Sequence, residues 1–184
     1  MLKTLPGTTI EVSGITENTS RMLFEGIFAA GGITLSQVSV MTGLEPYMIQ
    51  NWVKREFVSP PVKRQYSADQ FARIVIINML RESIQLDRIC GLLSYINGRL
   101  HDESDDLISD SELYHKYVEL ISHTGGIVTN RESVRTAAEQ VAANYVEPIP
   151  GARQRLVKIL QVMAYAHYAS ISRSAAEEIL SSLN

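Results

Sequence analysis

Apolar residues recur at helical spacing over most of the 184-residue chain, so the pattern predicts an all-α fold with very little strand. Met22, Leu23, Ile27 and Phe28 mark a first helix, opened by Asn18 or Thr19 and closed by Gly31 and Gly32. Leu35, Val38 and Met41 outline a short second helix that Thr34 can cap and Gly43 must end. A third follows at once, with Pro46 in its first turn and Ile49, Trp52 and Val53 as its buried stripe. Ser67 and Gln70 make a capping box for a helix over 68–82 that carries Phe71, Ile74, Val75, Asn78 and Met79. A shorter partner occupies 86–96. Beyond the acidic stretch HDESDDLISD (101–110), helices are expected over 111–124, 132–145 and 152–183, the last with a break near Ser172. That acidic stretch divides the chain into two expected domains, 1–98 and 99–184.

The second and third helices, joined by a tight turn, form a helix-turn-helix. The outward side of its second helix is polar: Tyr47, Gln50, Asn51, Lys54 and Arg55. Amides and cations at that spacing suit the major groove, where they meet base edges and phosphates. Pro60, Pro61, Lys63, Arg64 and Tyr66 follow as a short basic segment.

From Ile33 to Ile96 the residues resemble the MerR-type winged helix-turn-helix, and NWVKREFVSPP is also similar to excisionase-like relatives of that group. The resemblance rests on the helix-turn-helix, the two prolines, a wing with Arg-x-Tyr (Arg64, Tyr66) and the following helix pair. It implies a DNA-binding domain with a short β wing over 1–98 and a helical bundle for dimerisation or effector binding over 99–184. It puts Gln50 where the family often has a groove-facing arginine, Arg64 on phosphate and Tyr66 in the packing of the wing. The whole chain also resembles bacterial proteins grouped as a domain of unknown function.

Charge tempers this picture. The net charge is −3, yet residues 21–99 carry nine basic and six acidic side chains, while 101–184 carry seven against twelve. Local charge outweighs net charge within a Debye length, and basic groups gather from Lys54 to Arg64. The candidate DNA contacts are therefore Tyr47, Gln50, Asn51 and Lys54 toward bases, with Arg55, Lys63, Arg64 and Thr34 toward phosphate. Glu45, at the start of the recognition helix, is the sequence feature that favours a competing reading: a protein-interaction module that keeps the fold without binding DNA.

The remaining chemistry is sparse. Cys90 is the single cysteine and sits among apolar neighbours, which reads as a small buried side chain and leaves no internal disulfide or cysteine-rich zinc site. No apolar run reaches membrane-spanning length and the first residues lack a signal-peptide core, so the expected address is the cytoplasm, with no membrane partner. Glu112, His115, Glu119 and His123 have near-helical spacing, but the apolar stripe of Leu113, Tyr117, Leu120 and Ile121 turns His115 and Glu119 toward solvent, so no metal is expected. His167, beside Tyr165 and Tyr168, reads as a core histidine ahead of a ligand contact. No phosphate-cradling glycine motif or supported nucleophile–base set is present, so neither an enzyme nor a cofactor is expected. The final helix is apolar on more than one face, fitting either a central bundle position or a homodimer, and a small-molecule effector pocket in the bundle remains a third reading.

Overall fold

The starts of four helices are fixed by single side chains. Thr34, Ser67, Ser109 and Asn130 each accept the backbone N–H three residues further on, satisfying a donor that the helix itself leaves orphaned. At Thr34 and Ser67 the reciprocal bonds from Gln37 and Gln70 complete capping boxes. The computed structural model describes residues 4–98, 100, 106–125 and 130–183. Along them run α1 (Thr19–Phe28), β1 (Ile33–Thr34), α2 (Leu35–Thr42), α3 (Pro46–Lys54), β2 (Gln65–Tyr66), α4 (Ala68–Leu80), α5 (Leu86–Asn97), α6 (Asp110–Thr124), α7 (Arg131–Val141) and α8 (Ala152–Ser181). The chain is mostly helical, as the periodicity requires, and no helix among the described residues is long and apolar enough to cross a membrane. The expected turn at Gly126 and the acidic residues 101–105 lie outside the described residues.

Helix α4 is the centre of the molecule. Phe71, Ala72, Ile74, Val75, Ile76, Ile77 and Leu80 are all fully buried, because α2, α5, α6 and α8 pack around its different sides. A helix apolar around its circumference has no other stable place in water. The core is shared across the acidic connection: Phe71 and Ile74 belong to the same buried cluster as Leu113, Tyr114, Leu156 and Leu160. The N-terminal segment is stitched down as well. Tyr114 donates to the Pro6 carbonyl at 2.7 Å, and Asn78 donates to the carbonyls of Gly7 and Thr42 at 3.0 Å each. Gly7, at φ +74°, has no room for a side chain: a Cβ there would lie 2.5 Å from the Val75 carbonyl oxygen.

Three details differ from the sequence pattern. On α1 the buried residues are Ser20 and Phe24, and Met22 is 69% exposed, because α1 docks on α6 through the Phe24 ring, which meets Tyr114 and His115. His115 is accordingly buried, not solvent-facing. A helix with neighbours on two sides buries two faces, and the apolar stripe of α6 marked only one of them. Helix α8 runs through Ser172 without a break, buried only as far as Ala166; from Ile171 onward every described residue is exposed.

Candidate nucleic-acid interface

Gly43 adopts φ +69° and closes α2, so α3 begins three residues later at a sharp angle of the chain. Ile49 and Trp52 turn inward, Met48 and Val53 are half-buried, and the opposite face is left open. Tyr47, Gln50, Asn51 and Lys54 follow at intervals of three and four, so they share that exposed face. Glu45 precedes them as an exposed N-cap residue whose side chain makes no capping bond.

Between α3 and α4 the chain makes a minimal hairpin. Val62 and Gln65 exchange backbone hydrogen bonds of 3.0 and 2.9 Å, leaving Lys63 and Arg64 as the two turn residues, at φ 50° and 65°. Both positive φ values define the primed turn that matches strand twist, a place where Asn and Gly are favoured. Two long cationic side chains occupy it here, each at a backbone cost of about 1–2 kcal/mol. Packing holds the hairpin in place. Gln70 donates to the Ser59 and Pro60 carbonyls at 3.0 and 2.9 Å, and Tyr66 and Gln65 pair antiparallel with Ile33 and Thr34. This last pairing brings Thr34, exposed at the start of α2, beside the turn.

Arg55 is differently placed. Its guanidinium lies over the Phe57 ring at 4.3 Å and reaches Asp87 of α5 at 3.4 Å, so it is shared between the end of α3 and α5. The pair is exposed, and such contacts hold a side chain only weakly.

The other residues with candidate chemistry are engaged in packing. Nδ1 of His115 lies 2.9 Å from the Ser20 hydroxyl, and burial lowers the imidazole pKa from 6.5 to about 4. Glu112 pairs with Arg21 and Glu119 with Lys116, while His123 is exposed, so these four do not converge. His167 meets the Tyr117 hydroxyl at 2.5 Å and is likewise held near 4 by burial. Cys90 is half-buried, and burial raises its thiol pKa. Arg73, Asp110 and Asn97 form a buried polar network that the linear pattern does not reveal. Arg73 donates to the Phe57 carbonyl at 2.7 Å and to Asp110 at 3.0 Å, and Asn97 donates to the other Asp110 oxygen at 3.0 Å. An arginine at the third position of the mostly apolar run FARIVIINML is its only sequence signal.

Residues 30–117 match the model of a family described as a domain of unknown function (DUF1836). The matched stretch contains α2, α3, the hairpin and the whole Arg73–Asp110–Asn97 network. Over 115 residues the chain is 28% identical to the uncharacterized protein YkrK of Bacillus subtilis (strain 168), covering 59% of this chain and 49% of that one. The chain thus spans about half the length of that relative. No solved structure matches. These likenesses point to a bacterial family of unknown function.

Proposed function

We propose that the chain is a sequence-specific DNA-binding regulator of transcription, with a MerR-like winged helix-turn-helix. In this reading α2 and α3 are the helix pair, α3 enters the major groove, and the Lys63–Arg64 hairpin is a wing that grips the backbone. The observation that carries it is the pair of cations in left-handed turn positions. Strained backbone that glycine would relieve is retained where the side chains have a task, and two adjacent exposed cations suit phosphate. Tyr47, Gln50, Asn51 and Lys54 on the exposed face of α3 would then read bases, and Thr34 and Arg55 would add phosphate contacts. Arg55 must first leave Asp87, a weak exposed partner.

A homodimer fits the same reading. Tyr165, Ala169, Ser172, Ala176 and Ile179 fall on one face of α8 at about 100° per residue, with Arg173, Ser174 and Glu177 on the other, and Leu183 follows in the turn just past its end. This stripe continues beyond the bundle, where Ile179 and Leu183 are 65% and 75% exposed. A second copy would cover it and supply a second recognition helix. Selection of duplexes from a random pool by the full chain, followed by anisotropy titrations at several salt concentrations, tests the proposal. Recovery of no shared sequence would favour a protein-interaction module, the reading to which exposed Glu45 at the start of α3 lends support.

A further inference from the structure

Among the described residues, Arg55 at the end of α3 has one anionic partner, Asp87 of α5. Its Nη2 meets Oδ1 of Asp87 at 3.4 Å in a single contact, and the Phe57 ring, 4.3 Å from the guanidinium carbon, covers one face. A stacked guanidinium keeps its N–H edge free for an anion, and that edge suits a phosphate as well as a carboxylate. Asp87 therefore offers Arg55 what a DNA phosphate would offer it. The carboxylate is not placed by α3. It lies in the first turn of α5, where the helix N-terminus favours negative charge. Ile89, Leu93 and Ile96 bury the opposite side of that helix, which packs on α4 and α8, and near its far end Arg155 of α8 lies over the Tyr95 ring at 5.3 Å. The helical bundle thus presents a carboxylate to a cation of the recognition helix, 32 positions away in sequence. Both side chains are solvated, at 47% and 80% exposure, so the pair is weak enough for a polyanion to displace.

We infer that Asp87 is an autoinhibitory latch: it holds Arg55 in the free protein and competes with DNA phosphate for that one side chain. The inference rests on the DNA-binding reading and adds to it a carboxylate whose loss tightens binding. A double-mutant cycle on the full chain tests it, by anisotropy titration against the duplex that the unmodified chain selects. Asp87→Asn should bind about two- to fivefold more tightly, the range that an exposed ion pair allows. The carboxylate is exposed, so the fold should not depend on it, and circular dichroism checks this. Arg55→Ala should bind more weakly, and adding Asp87→Asn to it should change nothing further, because the latch then has nothing to hold. Equal tightening by Asp87→Asn in both backgrounds would make Asp87 a charge that repels DNA directly, and would overturn the latch. Unchanged affinity of the single variant would overturn it too, while leaving DNA binding intact. Selection of no duplex by either the unmodified chain or Asp87→Asn would bring down the DNA reading and the latch together.

Discussion

Arg73 and Asp110 lie 3.0 Å apart with their side chains only 7% and 12% exposed, and this ion pair clamps α4 to the first residue of α6. Asp110 is the last residue of the acidic stretch that the sequence marks as a connection, yet burial raises its pKa and the adjacent guanidinium acts against that rise. Arg73 also holds the Phe57 carbonyl, so the same side chain ties the exit of α3 to the helical bundle. Removing one partner leaves the other charge buried alone. Arg73→Met should therefore cost about 3–5 kcal/mol, read as a lowered urea midpoint with unchanged slope. A loss below 1 kcal/mol would show that the pair contributes little.

The hairpin turn carries a prediction with two opposite signs. Lys63→Gly together with Arg64→Gly should raise stability by about 1 kcal/mol or more, because glycine accepts the left-handed conformation at no steric cost. The same variant should bind every duplex more weakly and flatten the salt dependence by about two units, one for each lost phosphate contact. Greater stability with undiminished DNA affinity would remove the hairpin from the interface.

Replacement of Gln50 or Asn51 by alanine should change which sequences are preferred, with discrimination falling by about 1–3 kcal/mol per lost bidentate contact. Both side chains are exposed, so the fold should be untouched. An unaltered preference in the selected pool would mean that this face of α3 does not read bases.

Trp52 is 3% exposed and sits on the inward face of α3. Trp52→Ala should cost about 3–5 kcal/mol through lost packing and a residual cavity. Chemical denaturation measures it directly. A stable, folded variant that loses only DNA affinity would make the ring a contact residue.

Acid should destabilise the protein before its carboxylates titrate. His115 and His167 are held near pKa 4 by burial, against 6.5 for the free imidazole, so between these values the unfolded chain binds more protons than the folded one. The stability they contribute is complete above about pH 6.5 and is lost progressively as pH falls toward 4. Urea midpoints at pH 7 and pH 5.3 should show the drop, and His167→Phe should shallow the pH dependence. A midpoint that does not move between those pH values would mean that both imidazoles protonate freely in the fold.

Self-association is expected to run through the exposed stripe of α8. Ile179→Glu with Leu183→Glu should convert a dimer to a monomer in sedimentation, at unchanged monomer stability, because neither side chain belongs to the core. A wild-type chain that is monomeric at micromolar concentration would refute the dimer.

Local rules fixed most of the helices before any tertiary contact was known. The capping boxes at Thr34 and Ser67, the left-handed Gly43 and the stripe of Ile49 and Trp52 depend on neighbours within four residues, so a linear reading suffices for them. The same holds for the exposed face of α3, which follows from the position of its buried face. Long-range packing decided the rest. The sequence shows one apolar stripe of α6 and so turns His115 toward solvent, whereas α1 covers a second side through Ser20 and Phe24. The Arg73–Asp110–Asn97 network joins residues 13 to 37 positions apart, beyond the reach of any local pattern. The left-handed backbone at Lys63 and Arg64 was equally hidden, because nothing in their residue types favours it: Gln70 and the β1–β2 pairing close the hairpin so tightly that the two cations must accept the turn.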